Sequence, residues 1–185
     1  HILSAKVESY DLKNGAAITF IGDSQTAGSG ATSEEKIFPL QVMRGSKLKT
    51  SNISNGSLTL SAAVLSHVPA AIALNNPVII TLGYNDRRDL ATDTTTFKTR
   101  LAAVVNPLVS AGVPIYGIAT LVQKTGVSVN FNIAIRNYCA ANGYTVINID
   151  SAIKFLSCFT YVLRKLDIAS MFDCKTGFGH TSSSS

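Results

Sequence analysis

Five short apolar runs, at residues 16–21, 48–53, 77–82, 113–119 and 144–149, recur along the chain with helix-periodic segments between them. This alternation narrows the fold more than any other feature. Strands separated by helices return in the same direction and pair in parallel, and the helices cover the sheet they connect. Runs that are apolar nearly throughout, such as 16–21 and 77–82, rather than at every second residue, belong to strands buried on both faces. Between them, Phe97, Leu101, Val104, Val105 and Leu108 form one apolar helical stripe, and Phe131, Ile135, Tyr138 and Cys139 form another. Gly112 and Gly143 follow these stripes as stop signals. Residues 58–74 read as a further helix, interrupted at Pro69. The predicted class is α/β: a flavodoxin-like, single-domain three-layer α/β/α sandwich on a mainly parallel five-stranded sheet. A chain of 185 residues with 46% hydrophobic composition can bury one substantial core, and no long polar linker divides it. Residues 1–15 read as a lead-in, 16–180 as the domain and 181–185 as a serine-rich tail.

The first apolar run ends in Thr19-Phe20-Ile21-Gly22-Asp23-Ser24-Gln25-Thr26, which delivers a serine into a tight turn. In open α/β sheets that position faces the crevice where ligands bind, so Ser24 is a candidate nucleophile. The G-x-S-x-G elbow is not met, because Thr26 stands where its second glycine would be, and an ordinary α/β-hydrolase is disfavoured. Taken alone, Asp23-Ser24 also reads as a helix cap. Two further turns follow the next apolar runs: Asn55-Gly56-Ser57, and Gly83-Tyr84-Asn85-Asp86.

In these three segments the chain resembles the SGNH (GDSL-type) hydrolases. Gly22-Asp23-Ser24 is similar to that family's first block, Gly56 to the glycine of its second, and Gly83-Tyr84-Asn85-Asp86 to the Gly-x-Asn-Asp pattern of its third. The resemblance runs over roughly residues 18–180 and implies a cofactor-free serine esterase with no metal. Ser24 would attack the ester carbonyl. The backbone N–H groups of Ser24 and Gly56 and the side-chain amide of Asn85 would form the oxyanion hole. Asp23 and Asp86 are expected to hydrogen-bond to local backbone rather than to act as bases.

The base must come from His1, His67 or His180. His1 is terminal, and His67 lies in an Ala/Leu/Val-rich helical segment where a buried or half-buried structural histidine is the expectation. The resemblance therefore assigns His180, which stands near the C-terminus as the family's catalytic histidine does. The family's last block reads Asp-x-x-His, whereas Gly177 occupies the aspartate position here. Asp173 is the nearest upstream carboxylate and the assigned acid, Asp150 is a weaker substitute, and a Ser24–His180 dyad is the third option.

The remaining composition restricts partners. A net charge of +5 is scattered rather than clustered, and no nucleic-acid motif is present. Arg87-Arg88 could meet an anionic substrate group or be solvated surface. No apolar stretch is long enough to span a bilayer. Cys139, Cys158 and Cys174 form no C-x-x-C pair; Cys139 reads as core, and a Cys158–Cys174 bridge stays open. Low charge density with abundant Ser, Thr and Asn suits a secreted or virion-surface module. The expected substrate is a small-molecule or glycan ester, preferably a short acyl group on carbohydrate. The alternatives are lysophospholipase or thioesterase activity within the same family, a Cys-dependent hydrolase, or a glycan-binding or structural module that has lost turnover.

Overall fold

Each apolar run forms a strand: β1 (Ala17–Gly22), shifted one residue onward from its run, and β2 (Lys49–Asn52), β3 (Val78–Thr81), β4 (Ile115–Ala119) and β5 (Val146–Ile147), which are shorter than theirs. They pair in parallel in the order β2-β1-β3-β4-β5, with Thr19 opposite Val78 and Gly22 opposite Thr81. The computed structural model describes residues 17–29, 31, 33, 37, 39–40, 48–91, 93–121 and 126–149. The chain divides into two compact units, His1–Asp150 and Ser151–Ser185, and every described residue lies in the first. The expectations for Asp150, Cys158, Asp173, Cys174, Gly177, His180, the lead-in and the tail fall outside the described residues.

The period-two alternation of strand side chains sorts the apolar residues onto two faces. Ile21, Val78, Ile80 and Ile118 enter the main core, while Ile18, Phe20 and Ile79 join Leu48 in a second cluster. Both faces are therefore buried, as a three-layer sandwich requires. The helices among the described residues are α1 (Ser24–Ala27), α2 (Leu60–Leu74), α3 (Arg87–Leu90), α4 (Thr94–Ser110) and α5 (Gly126–Asn142). The crossovers from β2 to β3, β3 to β4 and β4 to β5 all advance in one direction across the sheet. Right-handed connections then lay α2, α4 and α5 in a single layer. The packing agrees, with α2 against α4 and α4 against α5. Phe97 of α4 stacks on Phe131 of α5 with ring centroids 4.3 Å apart.

One local reading changes, and one contact lies outside every reading of the sequence. The helix is not interrupted at Pro69, because α2 runs through it from Leu60 to Leu74. Proline removes the donor that would bond the carbonyl four residues earlier. Here that carbonyl belongs to Leu65, whose residue is 83% exposed, so water can satisfy it. The contact is made by Asn132, which carried no signal in the sequence. From α5 its Oδ1 accepts from the Leu121 N–H at 2.6 Å and its amide donates to the Leu121 carbonyl at 3.0 Å, closing the backbone just beyond β4.

Candidate active site

Parallel pairing places the carboxyl ends of β2, β1 and β3 side by side, and the three turns identified in the sequence are the segments that leave them. In the order β2-β1-β3-β4-β5 the chain reverses its direction of winding between β1 and β3, where an open sheet forms its ligand crevice.

Ser24 opens α1 directly after β1. Asp23 caps this helix, its carboxylate accepting from the Gln25 N–H at 3.0 Å, which is the local backbone role expected of it. Ser24 is half-buried, and its hydroxyl has no hydrogen-bond partner among the described residues. The turn that presents it is closed from beneath by Thr26. The Thr81 hydroxyl donates to the Ile21 carbonyl at 3.2 Å, so the 2.5 Å contact between the two threonine hydroxyls has Thr26 as donor. A Cβ at Gly22 would lie 2.3 Å from both of these oxygens, so only glycine fits there. Thr26 thus binds the turn to β3, a task that a glycine at its position could not perform. Asn52 of β2 adds a third tie, its amide donating to the Thr26 carbonyl at 3.2 Å.

The second turn is joined to the first by the backbone: the Asn55 N–H donates to the Gly22 carbonyl at 3.2 Å. Gly56 is exposed, its φ lies outside the left-handed range, and a Cβ there would meet nothing within 4 Å. Neither crowding nor backbone strain accounts for a glycine at this position. Its N–H donates to Oδ1 of Asn55 at 2.8 Å.

The third turn is bound to the second by two adjacent side chains. Asn85, buried, donates from its amide to the Leu58 carbonyl at 3.0 Å. Asp86, fully buried, accepts the Leu60 N–H at 3.0 Å through Oδ2 and Arg100 at 3.3 Å through Oδ1. The expected local backbone role of Asp86 is corrected here, since its acceptor atoms reach 26 residues back and 14 residues forward in sequence. Leu60 is the first residue of α2, and its N–H has no acceptor within the helix. Burial pushes the Asp86 carboxyl above the ordinary carboxylate range, opposed by the Leu60 N–H and by Arg100. Burial likewise raises Asp23, opposed by the Gln25 N–H and aided by the charge of Asp86. An amide has two N–H donors, and Asn85 uses one on Leu58 among the described residues. The Leu58 carbonyl therefore orients the group and leaves its second N–H without a partner among the described residues.

Of the sequence-predicted residues, Ser24, Gly56 and Asn85 thus stand on neighbouring strand ends. Arg87, a candidate for anion contact, lies with its guanidinium carbon 3.6 Å from the centre of the Tyr84 ring, while Arg88 is exposed. His67 is half-buried, as expected, and burial lowers its pKa from the ordinary histidine value. It also lines a pocket of about 230 Å³ with Ile53, Ser54, Asn55, Ser66 and Ala70, which no local pattern in the sequence announces. Among the described residues, no helix is long and apolar enough to cross a membrane.

No protein-family model matches the chain. No curated protein sequence matches it. Solved structures do. A member of the lipolytic G-D-S-L family from Veillonella parvula DSM 2008 aligns with a TM-score of 0.67 at 15% identity, covering 78% of this chain and 84% of that one. The acetyl xylan esterase AlAXEase aligns with a TM-score of 0.62 at 18% identity over 74% of this chain and 78% of its own. The psychrotrophic esterase EstA from Pseudoalteromonas sp., in a structure inhibited by monoethylphosphonate, gives 0.60 at 19% identity over 72% and 76%. The fold of this chain is that of the GDSL/SGNH esterases and lipolytic proteins.

Proposed function

We propose that the chain is a serine esterase that hydrolyses short acyl esters, preferably O-acetyl groups on carbohydrate, through an acyl-enzyme on Ser24. The observation that carries this reading is the junction of three turns at the carboxyl ends of β1, β2 and β3, with Ser24 on the first, Gly56 on the second and Asn85 on the third. Acyl transfer needs a nucleophile and preorganised donors where the oxyanion develops. The N–H of Ser24 and the second N–H of Asn85 are donors of this proposal, and the N–H of Gly56 joins them when the substrate oxygen replaces Oδ1 of Asn55 as its acceptor. Gly56 supports it, because glycine there answers to no internal contact and leaves room for a substrate.

His180, assigned from sequence, is the proposed base and Asp173 its proposed orienting acid. In the catalytic cycle Ser24 Oγ bonds to the acyl carbon while its proton passes to the base. The tetrahedral intermediate expels the alcohol, which takes that proton, and water then releases the acid by the reverse sequence. The similarity in fold to an acetyl xylan esterase supports the preference for short acyl groups on sugars.

The test is fluorophosphonate labelling of the full chain, with the modified peptide identified by mass spectrometry and unfolded protein as control. Selective modification of Ser24 in the folded state is expected, lost in Ser24→Ala. Absence of the adduct, together with no turnover of any ester in an acyl-length series, would overturn the reading. Gly177 in place of the last-block aspartate favours one competing reading, a glycan-binding module without turnover. That reading requires ligand binding that is unchanged in Ser24→Ala, with no hydrolysis by the native chain.

A further inference from the structure

We propose that the pocket lined by Ile53, Ser54, Asn55, Ser66, His67 and Ala70 is a binding site for a neutral polyol, and that it takes the hydroxyl-bearing alcohol part of the ester. The second half of this statement rests on the esterase reading. The first does not.

The argument begins with the protons. The Ser66 hydroxyl donates to the Ala62 carbonyl at 3.2 Å, so its 2.6 Å contact with Nδ1 of His67 has the imidazole as donor. A neutral imidazole that donates through Nδ1 must accept through Nε2. The Ser54 hydroxyl is spent on Oδ1 of Asn52, which leaves its oxygen as an acceptor. Asn55 uses Oδ1 for the Gly56 N–H, and its amide nitrogen has no partner among the described residues. The pocket therefore offers one imidazole acceptor, one hydroxyl acceptor and an amide donor. Hydroxyl groups both donate and accept, so a ligand carrying several can satisfy the three.

Charge and size narrow the ligand further. Among the described residues, no Asp, Glu, Lys or Arg lines the pocket. Burial lowers the His67 pKa from the ordinary histidine value, which favours the neutral imidazole over the cation that would attract an anion. The volume of about 230 Å³ falls under the roughly 300–1,000 Å³ typical of sites for drug-sized ligands. It suits a single small ring, whose C–H face can rest on Ile53 and Ala70. Asn55 links the pocket to the proposed oxyanion donor, since the residue that lines one also holds the Gly56 N–H. A polyol seated here would lie beside the second turn.

The experiment titrates the full chain with methyl β-xyloside while following the imidazole resonances of His67 by NMR, with inorganic phosphate as a second ligand. A saturable shift at millimolar xyloside is expected, unchanged in Ser24→Ala and absent with phosphate. Ala70→Phe, which fills the pocket, should abolish it. His67→Ala, followed through the backbone resonance of Asn55, should weaken binding about tenfold by removing one hydrogen-bond acceptor. No shift with xyloside, an equal response to phosphate, or binding that survives both variants unaltered would overturn the proposal. On esters, Ala70→Phe should raise KM for an acetylated xyloside about tenfold more than for p-nitrophenyl acetate. Equal effects would overturn the assignment to the alcohol part. Failure of the esterase reading would register separately, as loss of all turnover and of the Ser24 adduct with the xyloside shift intact.

Discussion

Replacing Asp86 by alanine tests whether this carboxylate serves as a backbone acceptor or as an ion-pair partner. In the first role it satisfies the N–H of Leu60, a completely buried residue whose N–H has no other acceptor among the described residues. Orphaning that donor should cost about 1–3 kcal/mol. In the second role it meets Arg100, which is 26% exposed and retains Asp89 at 3.6 Å when Asp86 is removed. That loss should add less than about 1 kcal/mol, offset by relief of a buried charge. The expected net cost is about 2 kcal/mol, or a fall in Tm of about 4–8 °C for a chain of this size. Asp86→Asn keeps an acceptor for Leu60 and should stay within about 1 kcal/mol of the native chain. Calorimetric melting of the three proteins decides. If asparagine costs as much as alanine, the ion pair carries the stabilisation and the reasoning fails. The pH dependence offers a second check. Burial raises the folded Asp86 carboxyl above its ordinary 3.8, so the folded state holds that proton more tightly than the unfolded chain. The contribution of Asp86 therefore improves as pH falls into the window between 3.8 and the raised value, and worsens as pH rises through it. Between about pH 7 and pH 4 the native chain should gain stability relative to Asp86→Asn.

Three further outcomes are expected. Gly22→Ala places a methyl group 2.3 Å from the Thr26 and Thr81 hydroxyl oxygens. It should cost about 1–3 kcal/mol by overpacking and depress phosphonate labelling of Ser24, as read by melting and mass spectrometry. Asp93 caps α4 through the Thr95 and Thr96 N–H groups, and the hydrogen bonds from Thr96 lead in lowering its pKa. The Tm advantage of the native chain over Asp93→Ala should hold above the ordinary 3.8 and shrink as pH falls through the depressed folded value. Cys139 is buried, and burial pushes its thiol up to about 11. Iodoacetamide at pH 8 should leave it unmodified in the folded chain and alkylate it in urea, and modification at equal rates in both states would contradict its place in the core.

The fold and the three turns were legible because their signals are local. Strand-forming apolar runs, the stripes of Phe97 to Leu108 and of Phe131 to Cys139, and the turn chemistry of Gly22-Asp23-Ser24 and Gly83-Tyr84-Asn85-Asp86 each depend on residues within a few positions of one another. Parallel pairing follows from the alternation of strands with helices. What depends on which strands become neighbours could not be read this way. Thr26 finds Thr81 only because β1 pairs with β3. Asp86 reaches Leu60 because the third turn lies against the start of α2, and a reading confined to local partners mistook its role. Pro69 passes through a helix whose residue four positions earlier, Leu65, tertiary packing leaves on the solvent side, a fact about exposure rather than propensity. His67 was legible as half-buried, yet its pocket exists only where the end of β2 faces the middle of α2. Local pattern specified the elements and the turns that end them. Strand order, a matter of contacts between segments far apart in the chain, decided which side chains meet.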